Sequence, residues 1–179
     1  MQPVQTPITG SEALSDLAPP LQALSQFYKA FNGRDLQLMS QNWLQSSEIA
    51  MDNPLGGIKR GWEEIQVVYE RIFQGPAKVY VEFYDYTIHA GDDMFYAVGR
   101  ERGSLRMGDQ ELSLAIRTTR IFKRVGTFWK QVHHHGSIET PELLAKYQGL
   151  ILGREARKRS GGSRDRLPSL SDRGQTPAS

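Results

Sequence analysis

The segment Arg117–Ser137, RTTRIFKRVGTFWKQVHHHGS, decides the fold of this chain. Apolar and polar side chains alternate on both sides of Val125-Gly126, which is typical of two antiparallel strands joined by a tight turn. We predict strands over Glu111–Arg124 and Phe128–Ser137. This hairpin closes a longer run of strands.

Two further strands precede the hairpin and show the same alternating pattern. They cover Lys78–His89 and Met94–Leu105, with a glycine-containing turn between them. Gly99 and Gly103 lie inside the second of these strands, where glycine is typical of a bend in a sheet. The sequence therefore predicts a curved antiparallel sheet.

Helices come before these strands. Apolar side chains recur at helical spacing over Leu21–Phe31, Leu36–Trp43 and Gly61–Phe73, and Ser46–Met51 reads as a short strand. Helices grouped before strands indicate an α+β fold and not an alternating α/β fold. We expect N-terminal helices packed on the curved sheet, with a cone-shaped pocket between them. A short helix over residues 141–152 follows the last strand.

The two ends of the chain differ in composition from the middle. Residues 1–20 hold four prolines and are predicted to be a flexible arm, followed by one domain over residues 21–152. Residues 153–179 carry seven basic and three acidic residues, so this tail contributes +4 where the whole chain has a net charge of +2. The tail is predicted to be disordered and to make at most weak contact with polyanions.

Composition excludes several kinds of site. The chain has no cysteine, so disulfides, thiolate nucleophiles and cysteine-bound metals are excluded. Neither a signal peptide nor an apolar run of about 18 residues is present, so we expect a cytoplasmic protein that does not span a membrane. No nucleotide-binding loop or Gly-x-Ser-x-Gly motif occurs, so no cofactor is expected. A metal site needs three or more protein ligands, and with four histidines in all we predict none.

Arg100 and Arg120 lie on neighbouring predicted strands and are candidate ligand-binding residues. An arginine that points into the interior has to meet a carboxylate or an anionic ligand, because an unpaired buried charge is costly. We expect the two guanidinium groups to share the pocket face of the sheet. The alternative is that each is solvated or paired at a subunit interface.

Three consecutive histidines occupy the last strand. Side chains alternate along a strand, so His133 and His135 share one face and His134 lies on the other. A two-residue turn at Val125-Gly126 places His133 and His135 beside Arg120 as ligand-binding residues, whereas a turn one residue longer places His134 there. We favour the shorter turn.

Asp52 directly follows the first predicted strand and stands directly before Asn53-Pro54. A carboxylate at the mouth of an apolar pocket is a candidate general base. The alternative, which the composition of the turn favours, is a carboxylate that accepts hydrogen bonds from local backbone N–H groups.

The segment Arg117–Ser137 resembles the closing hairpin of SnoaL-like proteins, which are members of the nuclear-transport-factor-2-like (NTF2-like) superfamily. It is more similar still to the association domain of calcium/calmodulin-dependent protein kinase II, which has a Thr-Arg-aromatic strand, a tight turn, a Trp and a Val-His-x-His-x-Ser ending. The resemblance covers about Leu21–Ser137. It implies a cystatin-like α+β domain whose pocket arginines, here Arg100 and Arg120, bind acidic ligands.

The segment Asp52-Asn53-Pro54-Leu55-Gly56 is similar, less closely, to the Asp-Pro-Val-Gly turn of ketosteroid isomerases. That resemblance implies Asp52 as a catalytic base and Tyr28 as the oxyanion-binding tyrosine. The reaction would be that of an isomerase or cyclase without a metal or nucleotide cofactor.

We favour a SnoaL-like domain that binds a small anionic or polar molecule in its pocket and assembles as a homodimer. The dimer is expected because aromatic and β-branched side chains fall on both parities of Val79–Ile88, so neither sheet face is designed for water. The alternatives are an isomerase or cyclase, and a non-catalytic oligomerisation module.

Overall fold

The computed structural model describes residues 2–161, and it describes side chains as far as Leu152. The helices are α1 (Pro19–Gly33), α2 (Leu36–Asn42), α3 (Gly61–Gln74) and α4 (Pro141–Gly161). The strands are β1 (Ala50–Asp52), β2 (Ile58–Arg60), β3 (Lys78–Ala90), β4 (Met94–Met107), β5 (Gln110–Val125) and β6 (Phe128–Ile138). The predicted α+β fold is confirmed.

The strands form one six-stranded sheet in the order β2-β1-β6-β5-β4-β3. Neighbouring strands are antiparallel except β1 and β6, which run parallel. The helices α1, α2 and α3 pack on one face of this sheet, and the core lies between them and the sheet. We call that face the inner face and the opposite one the outer face. Because side chains alternate along a strand, the register decides on which face each candidate residue lies.

Local sequence signals explain where the first helices begin and end. Pro19 and Pro20 occupy the first turn of α1, where a missing backbone N–H breaks no helical hydrogen bond. The helix is followed by Arg34, whose left-handed backbone (φ 55°) turns the chain toward α2. The Asp35 carboxylate then accepts a hydrogen bond from the Leu38 N–H at 2.8 Å and caps α2.

Two glycines allow β4 to pass close to β3. A Cβ atom at Gly99 would lie 2.6 Å from the Cβ atom of Tyr86 and 2.8 Å from the ring of Phe83. A Cβ atom at Gly103 would collide with the backbone of Tyr80. A side chain at either position would push the two strands apart, so both positions need glycine.

The N-terminal segment differs from the flexible arm expected from its prolines. Ile8 is buried, and its backbone N–H and C=O groups bond to those of Phe83 at 2.8 and 2.9 Å. Val4 pairs with Tyr86 in the same way, at 2.8 and 3.1 Å. The segment lies along β3 because the edge of a sheet offers unpaired backbone groups.

The last helix, α4, continues past Leu152, where the sequence predicts the end of the domain, to Gly161. The remainder of the predicted basic tail, residues 162–179, lies outside the described residues. Within residues 2–161, none of the helices combines the length and the apolar character that crossing a bilayer requires.

Candidate functional site

Arg120 is the centre of a polar cluster inside the fold. It lies on the inner face of β5, and only 1% of its surface is exposed. Its Nη2 group donates to Glu101 Oε1 on β4 at 2.7 Å, and its Nε group donates to the Tyr28 hydroxyl on α1 at 3.2 Å. The Tyr28 hydroxyl in turn donates to the same Glu101 oxygen at 2.7 Å. A buried carboxylate of the chain itself therefore neutralises the guanidinium charge.

Aromatic rings surround this ion pair. The guanidinium carbon of Arg120 lies 3.5 Å from the centroid of the Phe27 ring and 5.3 Å from that of Tyr28. Trp43 and Tyr69 are also buried, with ring centroids 6.4 Å apart. The rings keep water away, which strengthens the electrostatic interactions inside. They also occupy much of the space where the sequence predicts a pocket.

A β-bulge decides which histidine joins this cluster. The pairing of β6 with β5 shifts by one residue next to Phe122. On one side of the shift Gln131 is the partner of Phe122, and on the other side His134 is the partner of Arg120. Val132 is the additional residue. Gln131 and His134 therefore both point inward, although they are an odd number of positions apart.

Several buried polar atoms of the described side chains have no hydrogen-bond partner. They are Asn42 Oδ1, Trp43 Nε1, Thr118 Oγ1, Gln131 Nε2 and both ring nitrogens of His134. Gln131 belongs to the cluster because its Oε1 atom accepts from Arg120 at 3.3 Å, and its backbone is bridged to that of Trp43. An unpaired buried donor costs about 1–3 kcal/mol, so a group of them commonly marks the place of a water or a ligand.

Burial sets the charge state of the cluster. It lowers the pKa of His134 well below its usual value, and the nearby Arg120 charge lowers it further, so the imidazole is neutral at pH 7. Burial raises the pKa of Tyr69 to about 12 and the pKa of Tyr28 well above its usual value, so both hydroxyls keep their protons. Burial alone would lower the pKa of Arg120, but the Glu101 carboxylate opposes this effect and keeps the guanidinium group charged.

Arg100 lies outside this cluster. Its side chain is on the outer face, about half exposed, and binds Asp85 Oδ2 and Glu139 Oε1 at 2.8 Å each. The expectation that Arg100 and Arg120 share an inner face is therefore wrong. Alternation along β4 places the next residue, Glu101, against Arg120 instead.

His133 and His135 also lie on the outer face, which corrects the expectation that they stand beside Arg120. The turn between the strands has two residues, as predicted, but lies at Gly126-Thr127. The bulge then adds one residue and reverses the facing of the residues that follow it. His134, the alternative, is the histidine on the arginine face.

Asp52 and Tyr28 lie on opposite faces of the sheet. In the parallel pair of β1 and β6, Met51 is beside His134 and Asp52 is beside His135. Met51 is buried in the core, whereas the Asp52 carboxylate lies 3.1 Å from His135 Nδ1 on the outer face. A base at Asp52 and a hydroxyl at Tyr28 therefore cannot act on one substrate, which corrects the expectation of a shared catalytic pocket.

Sequence reasoning did not single out Glu101. Glu101 carried a usable signal, because it has the same parity along β4 as the buried Phe95 and Leu105. A carboxylate at such a position needs a buried partner.

A cleft of about 530 Å³ opens at the surface, away from these residues. It is lined by residues 45–47 and 60–64, which include Trp62 at the start of α3. None of the candidate residues named from the sequence lines it.

Comparison with known proteins identifies relatives of this fold. The family model of the SnoaL-like domain matches residues 21–141. Among curated proteins, none matches the chain.

Several solved structures have folds similar to that of the chain. A putative calcium/calmodulin-dependent protein kinase type II association domain from Thiobacillus denitrificans is 24% identical, with a TM-score of 0.57 over 69% of this chain and 98% of that one. A putative dehydratase from the NTF2-like family of Streptomyces avermitilis is 20% identical, with a TM-score of 0.62 over 70% of this chain and 97% of that one. A CaMKII hub from S. rosetta is 16% identical, with a TM-score of 0.58 over 67% of this chain and 94% of that one. At these identities the likeness shows the fold alone.

Proposed function

The chain belongs to the SnoaL-like domain family, and we propose that it binds a small, acceptor-rich polar molecule beside Arg120. The observation that carries this proposal is the set of unpaired polar atoms on Trp43, Gln131 and His134. An indole N–H and an amide NH₂ can only donate hydrogen bonds. The Arg120 guanidinium group has five N–H donors, and it makes three hydrogen bonds within the chain. The ligand therefore has to supply acceptor oxygens, as a carboxyl or carbonyl group does.

The charge balance of the cluster limits the net charge that the ligand can carry. Arg120 and Glu101 cancel each other, and His134 is neutral. A neutral amide or carbonyl compound keeps the net charge at zero. A carboxylate would leave one uncompensated negative charge, which is costly in a buried site, unless it displaces Glu101 from Arg120. A carboxylate and its matching amide therefore distinguish the two ways of binding.

The ligand can reach the Arg120 cluster only when the fold opens locally. Arg120, Trp43 and Gln131 are each at most 1% exposed. The helix α1 and the segment after α2 cover them, so one of these has to move away from the sheet. The proposal therefore concerns a molecule small enough to fit among the aromatic rings.

The experiment is a thermal-shift measurement with short carboxylates, each paired with its primary amide. Ligand at 100 times its dissociation constant stabilises the protein by about 2.7 kcal/mol, which raises the melting temperature by roughly 5–10 °C for a domain of this size. We expect Gln131→Met to lose this shift, because it removes the amide and keeps the volume. The matched control is Gln66→Met, whose amide bonds to Glu70 on α3. A screen in which neither member of any pair shifts the wild type, or a shift that survives in Gln131→Met, would refute the proposal.

We propose in addition that the outer face of β3 and β4 pairs with a second copy of the chain. Tyr80, Tyr96 and Val98 lie on this face, and each is more than 40% exposed. Tyr96 and Val98 are two positions apart on this face of β4, and exposed apolar side chains that lie together are typical of an interface. Two similar structures are named an association domain and a hub, which agrees with such a role for the fold.

Light scattering tests the dimer. We expect twice the chain mass at micromolar concentration, and a monomer for Val98→Lys. The control is Val67→Lys on α3, where the valine is similarly exposed but lies on the helical side. A wild-type monomer, or a dimer that survives Val98→Lys, would contradict the proposed interface.

A further inference from the structure

We propose that Asp52, His133 and His135 form a binding site for a divalent transition-metal ion on the outer face of the sheet. This site is separate from the Arg120 cluster, which lies on the inner face. The function proposed above does not use these three residues. Its ligands are two imidazoles and one carboxylate.

The strand pairing brings the three side chains together. His133 and His135 are two positions apart on β6 and so share a face, and β1 runs parallel beside them with Asp52 in register with His135. One donor atom from each residue lies within 4.8 Å of the other two. Asp52 Oδ2 and His135 Nδ1 are already 3.1 Å apart.

These distances suit a metal after small side-chain rotations. Bonds of about 2.1 Å at a tetrahedral angle place neighbouring ligand atoms about 3.4 Å apart. A separation as long as 4.8 Å has to shorten by about 1.4 Å, which rotation of an exposed imidazole supplies. The His135 side chain is 55% exposed, so packing leaves it room to rotate toward the Asp52 carboxylate, which is 29% exposed.

The ligand set selects the class of ion. Imidazole nitrogen suits Zn²⁺, Co²⁺, Ni²⁺ and Cu²⁺, whereas Mg²⁺ and Ca²⁺ prefer sites made of oxygen atoms alone. Three protein ligands leave at least one position open to water on the exposed side. The carboxylate also offsets one of the two positive charges of the ion.

The third ligand explains why the sequence argues against a metal. The two histidines that share a face are a pair, and a pair is too few for a stable site. Asp52 is distant from them in sequence and adopts its place only because β1 inserts in parallel beside β6. A parallel pairing of a three-residue strand leaves no periodic signal in the sequence.

The experiment is calorimetric titration of the full-length, untagged and metal-free protein with Zn²⁺, repeated with Co²⁺ to record its visible absorption, and with Mg²⁺ as a comparison. We expect one Zn²⁺ per chain and no heat with Mg²⁺. Asp52→Asn, His133→Ala and His135→Ala should each weaken Zn²⁺ binding by at least about tenfold. The control is His89→Ala, an exposed histidine on β3 that bonds to Thr87.

Melting curves without metal show whether each variant folds, and any two folded variants decide the question. The proposal is overturned if the wild type binds no Zn²⁺, if the three variants bind it as the wild type does, or if His89→Ala weakens it equally. A ratio of one ion per two chains would also overturn it, because the ion would then be held between copies.

Discussion

Replacing Arg120 with Met leaves the Glu101 carboxylate buried without its partner. The ion pair has an N–O distance of 2.7 Å, and its two side chains are 1% and 5% exposed, so solvent does not compensate the loss. Removing one partner of such a pair destabilises a protein by about 3–5 kcal/mol. Glu101→Gln should cost a similar amount, since it leaves the guanidinium charge buried and unpaired.

The double variant Arg120→Met/Glu101→Gln should be much less destabilised than the sum of the single variants. It removes both charges, and the glutamine oxygen can still accept from the Tyr28 hydroxyl. We expect it to lie within about 2 kcal/mol of the wild type, whereas the single variants sum to at least about 6 kcal/mol, which corresponds to a coupling energy of at least about 4 kcal/mol.

The assay is urea unfolding followed by tryptophan fluorescence and circular dichroism at one protein concentration, because a dimer would make stability depend on concentration. The control pair is Arg102 and Glu82, which are 2.6 Å apart on the outer face with Arg102 about half exposed. Breaking this pair should change the free energy of unfolding by less than about 1 kcal/mol. Single variants at Arg120 and Glu101 that cost no more than the control, or energies that simply add, would refute the reasoning.

Three further predictions follow from burial and backbone geometry. Burial raises the pKa of Tyr69 to about 12, so the folded state keeps a proton that the unfolded state loses near pH 10, and stability falls as the pH rises. Tyr69→Phe should recover about 1.4 kcal/mol of the stability that the wild type loses between pH 9 and 11. Melting curves at alkaline pH that are the same for both proteins would contradict this. Gly103→Ala should lower the free energy of unfolding by more than about 2 kcal/mol, because the added Cβ atom collides with the Tyr80 backbone. A near-neutral effect in urea unfolding would mean that β3 and β4 separate easily at this point. Ile8→Ala should lower the free energy of unfolding by about 2–3 kcal/mol, as for a core residue, whereas the half-exposed Val4 should tolerate alanine. Equal, small effects of both variants in urea unfolding would mean that the N-terminal segment is a flexible arm, as the sequence predicts.

The sequence predicts the main elements of the fold because their signals are local. Helical spacing predicts α1 and α3, and alternation between turn residues predicts β3 to β6. The strand β2, Ile58–Arg60, is not predicted, because three residues are too few to show a period. The N-terminal segment is not predicted to pair with β3, because the pairing depends on an edge that only the folded sheet presents.

The candidate site is predicted less well than the fold because it depends on register. Arg120 is placed inside by its own parity, and an inward arginine does meet a carboxylate, here Glu101. Arg100, His133 and His135 fall on the outer face because one bulge residue reverses β6 and because adjacent residues of β4 alternate. No local pattern in the sequence marks a bulge at Val132, so this reversal was not visible before the strands were paired.

The run of three histidines also has a consequence for how the last strand finds its place during folding. If β6 docked one residue out of step, an imidazole would still arrive opposite Arg120, so these side chains cannot by themselves distinguish the correct alignment from its nearest error. Gly136 can, because even a Cβ atom there would lie 2.7 Å from the Pro54 ring, and either slip would bring a bulkier side chain to that point. A slipped alignment therefore meets a steric clash at Gly136 and the proline ring it faces, and Gly136→Ala would weaken the preference for the native alignment where the histidines are indifferent.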